Sequence, residues 1–145
     1  CQEQDWRDSY RTVEQFMTED LFTVRPDDIV DFAATLMDWR HIRHVPVENN
    51  DGRLVGLVSH RALLRLVAQG RAGRDQKVTV QEIMNSEPVT VRPDTPTTEA
   101  IRLMREHQLG CLPVTQEGRL VGIVTEHDLI IVASRLLESY LDPSE

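Results

Sequence analysis

Basic residues are scarce in this chain. Sixteen Lys and Arg stand against twenty-four Asp and Glu, for a formal charge of −8. Without a basic excess to neutralise phosphates, non-specific nucleic-acid binding is not expected. Long apolar runs are also missing, so this segment is not expected to insert in a membrane, and no signal-peptide pattern opens it. There are only two cysteines, Cys1 and Cys111. One is terminal and the other lies in an apolar run, so they make no disulfide framework and point to a reduced, cytoplasmic setting. The chain has no nucleophile elbow, P-loop, zincin motif or convincing carboxylate pair, so no catalysis is expected.

What is present is enough apolar material for a core. At 145 residues and 40% hydrophobic, the chain makes one compact domain or two very small units that share an interior. It starts at Cys1 without an initiator Met, which suggests a piece of a longer protein with an upstream domain.

The strongest signal is an internal repeat. Met17-Thr18 answers to Met84-Asn85, Thr23-Val24-Arg25-Pro26-Asp27 to Thr90-Val91-Arg92-Pro93-Asp94, and Met37 to Met104. The second copy is one residue shorter at its hairpin, where Gly52 answers to Gly118. The expected organisation is an N-terminal helix or linker over 1–12, repeat one over 13–68 and a polar linker over 69–79. Repeat two follows over 80–134, and a helix extension with a tail covers 135–145.

Each repeat reads strand, helix, strand, strand, helix, a mixed α/β (α+β) arrangement. Val13 to Met17 and Val80 to Met84 suit a turn or two of helix. Phe22 to Val24 and Val89 to Val91 are short extended segments. Asp28 is expected to cap the first helix, with Ile29, Ala33, Leu36 and Met37 as its apolar stripe. Thr95 is expected to cap the second, with Pro96 in first position and Ala100, Ile101 and Met104 as the stripe. Hairpins follow around Asn49 to Gly52 and Gln116 to Gly118. The internal Pro46 and Pro113 lack a donor, so their strands belong at an edge or begin late. The closing helices run from His60 to Ala68 and from Glu126 to about Tyr140. The second carries Leu129, Ile130, Val132, Ala133, Leu136 and Leu137. A stripe reaching past its repeat suggests packing on another chain or an adjoining domain.

One unit of about 55 residues cannot bury such a sheet alone. The two are expected to pack sheet to sheet about a pseudo-twofold axis, leaving two symmetry-related clefts. The stretch Leu120-Val121-Gly122-Ile123-Val124-Thr125-Glu126-His127-Asp128 runs from strand into helix with a hydroxyl at the junction and a carboxylate three residues on. Repeat one carries the same stretch from Leu54 to Ser59, but with Ala62 where the acid would stand. First-turn N–H groups favour a phosphate at such a junction, with the Thr125 hydroxyl donating to it and His127 in reach. Asp128 suits ribose hydroxyls better than phosphate. Thr-x-x-Asp before an apolar run is equally a capping box, and the residues alone leave the two readings level. His41 and His44 have a His-x-x-His spacing, yet they straddle a helix-to-strand junction with no third ligand nearby, so no metal is expected. His60, His107 and His127 read as surface groups.

The chain resembles the cystathionine-β-synthase (CBS) domain pair, or Bateman module. The resemblance is carried by Val-x-x-Phe-Met-Thr at 13 to 18, Thr-Val-Arg-Pro-Asp at 23 to 27, Ile-Arg-His-Val-Pro-Val at 42 to 47 and Leu-Val-Gly-Leu-Val-Ser at 54 to 59, with partners of the same kind in repeat two. It implies tandem CBS repeats without catalysis, a homodimer, and a regulatory adenine nucleotide (AMP, ADP or ATP), S-adenosylmethionine or a dinucleotide. The implied main site joins Thr18, Asp20, Leu21, Phe22, Ile42, Arg43, His44 and Pro46 to Gly122, Thr125, His127 and Asp128. A weaker second site would use Ser59, Arg61, Met84, Pro88, Val89, Leu109 and Cys111, without a ribose acceptor because of Ala62. For Leu21, Phe22 and Ile42 a plain core role competes with binding. The rival reading of the whole chain is a scaffold that dimerises and binds nothing.

Overall fold

The computed structural model describes residues 10–71 and 77–141. The expectations placed on residues 1–9, on 72–76 of the linker and on the tail 142–145 lie outside the described residues. The element order is a 3₁₀ turn Val13–Gln15, α1 Val30–Arg40, β1 His44–Glu48, β2 Leu54–Ser59, α2 His60–Ala68, α3 Val80–Ile83, α4 Thr97–His107, β3 Cys111–Gln116, β4 Arg119–Thr125 and α5 Glu126–Leu141. Two small sheets result, β1-β2 and β3-β4.

The expected first strand of each repeat shrinks to one residue. Val24 makes a single parallel bridge to Val47, and Val91 makes one to Val114. In the first, the Val24 N–H donates to the Pro46 carbonyl at 3.1 Å and the Glu48 N–H donates to the Val24 carbonyl at 2.9 Å. Pro46 therefore uses only its carbonyl on that side, where its missing N–H costs nothing. Pro113 does the same, accepting from Val91 at 3.0 Å. The prolines sit inside β1 and β3 rather than delaying them.

Both cap expectations need correction. The N-caps are Ile29 and Pro96, and the helices begin at Val30 and Thr97. Asp28 and Thr95 instead close the preceding turn: Asp28 Oδ2 accepts the Arg25 N–H and Thr95 Oγ1 accepts the Arg92 N–H, each at 2.8 Å. Ile29 and Ile101 leave the core stripe and are exposed, while Ala33, Met37, Ala100 and Met104 are buried. Both helices end on a non-glycine residue in the left-handed region, His41 at φ 56° and Gln108 at φ 54°. In the second hairpin Glu117 and Gly118 both have positive φ, a two-residue turn whose twist suits its strands.

Contacts divide the chain into two compact units that cut across the repeats. Among the described residues, the first holds 10–21, 90–116 and 121–141, and the second holds 22–71, 77–89 and 117–120. Within the first, Val13 and Glu14 donate to the carbonyls of Thr95 (2.9 Å) and Pro93 (3.0 Å), and the Thr97 N–H donates to Arg11 (2.9 Å). The buried Thr97 hydroxyl also donates to the Tyr10 carbonyl. Within the second, Val80 and Gln81 donate to Asp28 (2.8 Å) and Pro26 (2.9 Å), and Val30 donates to Val78 (2.9 Å). Each unit thus stitches the opening segment of one repeat to the helix entry of the other.

The interior is mostly valine. In the second unit Val24, Ala33, Met37, Val45, Val47, Val58 and Val80 form one cluster. In the first, Val13, Ala100, Leu112, Val114 and Val124 are fully enclosed. Of the stripe expected on α5, only Val132 is buried; Ile130 is 63% exposed and Leu137 is 60% exposed.

Candidate functional site

In the first unit, strand β4 delivers Thr125 to the start of α5, and the chain folds back so that Thr18 meets it. Thr18 pairs with Ile123 through reciprocal backbone hydrogen bonds of 2.9 Å. That pairing brings three polar side chains together. Asp128 Oδ2 accepts the Thr125 N–H at 2.9 Å and the Thr125 hydroxyl at 3.2 Å. The Thr125 oxygen in turn accepts the Asp128 N–H at 3.2 Å. The Thr18 hydroxyl donates to Asp128, 3.0 Å from Oδ1 and 3.3 Å from Oδ2. The capping box left open by the sequence is formed. A carboxylate offers about four lone-pair positions, and Oδ1 keeps one of them open.

Gly122 belongs to the same corner for a packing reason. A Cβ there would stand 2.5 Å from the Met17 sulfur. Among the other nominated residues of this unit, Asp20 and His127 are exposed and Leu21 is half-buried. Leu109 is half-buried at the end of α4, and Cys111 is 2% exposed, with burial pushing its thiol up to about 12. Two surface hollows of about 440 and 300 Å³ lie along α4 and include none of these residues.

The second unit carries the matching corner without its acid. Asn85 pairs with Leu57 as Thr18 pairs with Ile123, and Gly56 lies under Met84 as Gly122 lies under Met17. The Ser59 hydroxyl accepts the Ala62 N–H at 3.3 Å, which is half of a capping box. The Asn85 side chain turns aside and accepts the Glu87 N–H at 3.1 Å. Arg61 is exposed, and Pro88 and Val89 are half-buried.

The remaining nominated residues of the main site also fall in the second unit. Phe22 lies under the Arg40 guanidinium, 4.0 Å from its ring centre. Ile42 packs on the core, Pro46 is buried and Arg43 is exposed. The His44 ring stands edge-on to His60, centroids 6.3 Å apart. His60 is not the surface group expected. It is half-buried, and its Nδ1 is enclosed without a hydrogen-bond partner among the described residues. Sequence reasoning missed Arg40 on Phe22 and the methionines over the glycines. The repeated Met-Thr and Met-Asn pairs were the signal for the latter. No group of three His, Cys, Asp or Glu able to hold a metal occurs among the described residues.

The corner at Thr125 and its acid-free copy at Ser59 are the two halves of a duplicated module, and a family model described as CBS domain matches residues 13–69 and 80–135. The chain belongs to the CBS domain family. As a CBS pair it is 36% identical over 136 residues to a CBS domain-containing protein of Dictyostelium discoideum, covering 87% of this chain and 93% of that one. It is 31% identical over 121 residues to the inosine-5'-monophosphate dehydrogenase of Methanocaldococcus jannaschii, covering 83% of this chain but only 23% of the enzyme. Among solved structures it matches CBSX2 in complex with AMP (TM-score 0.78, 32% identity, 87% of this chain and 98% of that one). It also matches a CBS domain pair in complex with 5'-methylthioadenosine and S-adenosyl-L-methionine (TM-score 0.75, 26% identity, 89% and 97%). No helix among the described residues is long and apolar enough to cross a membrane.

Proposed function

We propose that this CBS pair is a non-catalytic regulatory module of the cytoplasm that binds an adenine nucleotide at the start of α5. Asp128 would accept the ribose hydroxyls, and the Thr125 and His127 side would face the phosphate. Occupancy would be passed to an attached or partner enzyme or transporter. The observation that carries the reading is the Thr18–Thr125–Asp128 cluster, where a half-buried carboxylate keeps one acceptor position open beside first-turn N–H groups. The AMP and S-adenosyl-L-methionine complexes of the similar proteins support an adenosyl ligand.

A second reading, a ligand-free dimerisation scaffold, is favoured by one fact: Asp128 is already engaged with its own helix start. A thermal-shift panel of AMP, ADP, ATP, S-adenosylmethionine and NAD separates the two. Ligand at a hundred times its dissociation constant adds about 2.7 kcal/mol of stability. The expected result is a clear shift with at least one compound that disappears in Asp128→Ala. Silence across the whole panel favours the scaffold, and a shift retained in Asp128→Ala removes the acid from the site.

A further inference from the structure

The Asp128 carboxylate is partly spoken for by a residue that belongs to the opening segment of the chain. We propose that the Thr18 hydroxyl is an internal competitor for Asp128, so that binding of a vicinal diol there loosens the attachment of the segment Tyr10–Thr18. This rests on the ligand reading above and adds the route by which occupancy leaves the site.

The lone pairs set the competition. Oδ2 serves the Thr125 N–H and hydroxyl, and Oδ1 receives the Thr18 hydroxyl at 3.0 Å. One acceptor position remains, which one ligand hydroxyl can take without disturbance. A ribose presents two adjacent hydroxyls. The second needs the position that Thr18 holds, so full engagement of the diol displaces the Thr18 proton. Both bonds are charge-assisted, and the exchange is therefore close to balanced and easily driven either way.

Thr18 is the far end of a strap. Upstream of it, Met17 donates to the Val13 carbonyl at 2.9 Å, Val13 and Glu14 are bonded to Thr95 and Pro93, and Arg11 accepts from Thr97. Tyr10 accepts from the buried Thr97 hydroxyl. Freeing the Thr18 hydroxyl removes one of the side-chain anchors of that strap while its backbone bonds stay. Linkage makes the effect reciprocal: a strap held down weakens the diol, and a bound diol weakens the strap. The second unit has no such device, since Ala62 offers no carboxylate and the Asn85 side chain bonds to Glu87.

Calorimetric titration of the wild-type chain, Thr18→Val and Asp128→Ala with AMP and with 2'-deoxy-AMP tests this. Valine keeps the shape and the β-branch of threonine, so folding is preserved. The expected result is AMP binding about tenfold tighter in Thr18→Val, with 2'-deoxy-AMP unchanged. In the wild type, AMP should also quicken amide exchange at Val13 and Glu14, and it should not do so in Thr18→Val. A Thr18 that merely shapes the site would weaken both ligands alike when replaced. AMP affinity unchanged or lowered in Thr18→Val overturns the competition while the ligand reading stands. Unchanged exchange at Val13 and Glu14 overturns the strap as its output. If wild type binds neither nucleotide, or Asp128→Ala binds as well as wild type, the ligand reading fails and this inference goes with it.

Discussion

Gly56 and Met84 lie so close that a Cβ on the glycine would stand 2.5 Å from the methionine sulfur and 3.1 Å from the Asn85 carbonyl oxygen. Gly122 meets Met17 at the same 2.5 Å, but the three atoms nearest it, at 2.5 to 3.2 Å, all belong to the flexible Met17 side chain. The two glycines are equivalent by repeat and unequal by surroundings. Asn85 cannot retreat, because its N–H and carbonyl are both bonded to Leu57 at 2.9 and 3.0 Å. Gly56→Ala should therefore cost about 3 kcal/mol and Gly122→Ala about 1 kcal/mol, the two ends of the overpacking range. Urea unfolding of both variants checks the order. Equal losses would mean that Asn85 yields as readily as a methionine.

Cys111 begins β3 inside the first unit, 2% exposed, with its thiol pushed up to about 12 by burial. A thiol harder to ionise folded than unfolded makes the unfolded chain lose its proton first as pH rises. The stabilisation is complete below pH 9 and is lost between about 9 and 12, with a slope of at most about 1.4 kcal/mol per pH unit. In a Cys1→Ser background the native chain at pH 8 should resist alkylation by iodoacetamide, and denaturant should expose one reactive thiol. Rapid alkylation of the native chain would contradict the burial.

The duplication was readable because whole phrases recur, and the closing helix His60–Ala68 runs from its Ser59 cap to its last apolar residue, as the sequence placed it. The first strands were overestimated because Phe22–Val24 and Val89–Val91 have strand composition. A parallel partner, however, is offered to one residue only, Val24 and Val91. The caps were each misplaced by one residue for a related reason. Asp28 and Thr95 are good acceptors, but Arg25 and Arg92 supply an N–H inside the turn before any helix N–H is available. The hydrogen-bonded corner at Thr125 was half legible. Asp128 and Thr125 follow from local spacing, whereas Thr18 reaches them across 110 positions through a backbone bridge that no local pattern announces. His60 was misjudged because its ring stands edge-on to His44 of the paired strand β1, a contact that local spacing does not show.

The outer face of α5 leads to a prediction about assembly. Ile130 and Leu137 are 63% and 60% exposed, and Ile131 is 40% exposed. Residues this apolar on one helix are a cost in water that a second copy would remove. The family resemblance implies a homodimer, and if α5 is its seam, sedimentation at micromolar concentration should show one. Ile130→Glu with Leu137→Glu should leave a monomer. Its unfolding free energy at low concentration should stay within about 0.5 kcal/mol of the wild type's, since exposed positions lose little inside the chain. A monomeric wild type would leave this face without that role.

Restoring the missing acid is the sharpest test of what the second copy lost. Ser59 already accepts the Ala62 N–H at 3.3 Å, so the serine half of a capping box is in place. In the other corner the acid's share is the Thr125 N–H at 2.9 Å. Ala62→Asp supplies the same acceptor to the Ser59 N–H. It also adds a negative charge in the first turn of α2, which has no acidic residue there. The variant should gain about 1 kcal/mol in thermal or urea unfolding, less at high salt because part of the gain is electrostatic. The gain should also fall as pH drops through the carboxylate range, since only the ionised acid accepts from Ser59. If the acid's role in Asp128 extends to ribose, calorimetry of Ala62→Asp with AMP should reveal stronger binding at the second copy, and 2'-deoxy-AMP should benefit less. Added stability with no change in nucleotide binding would assign the acid to helix capping at Ser59 alone.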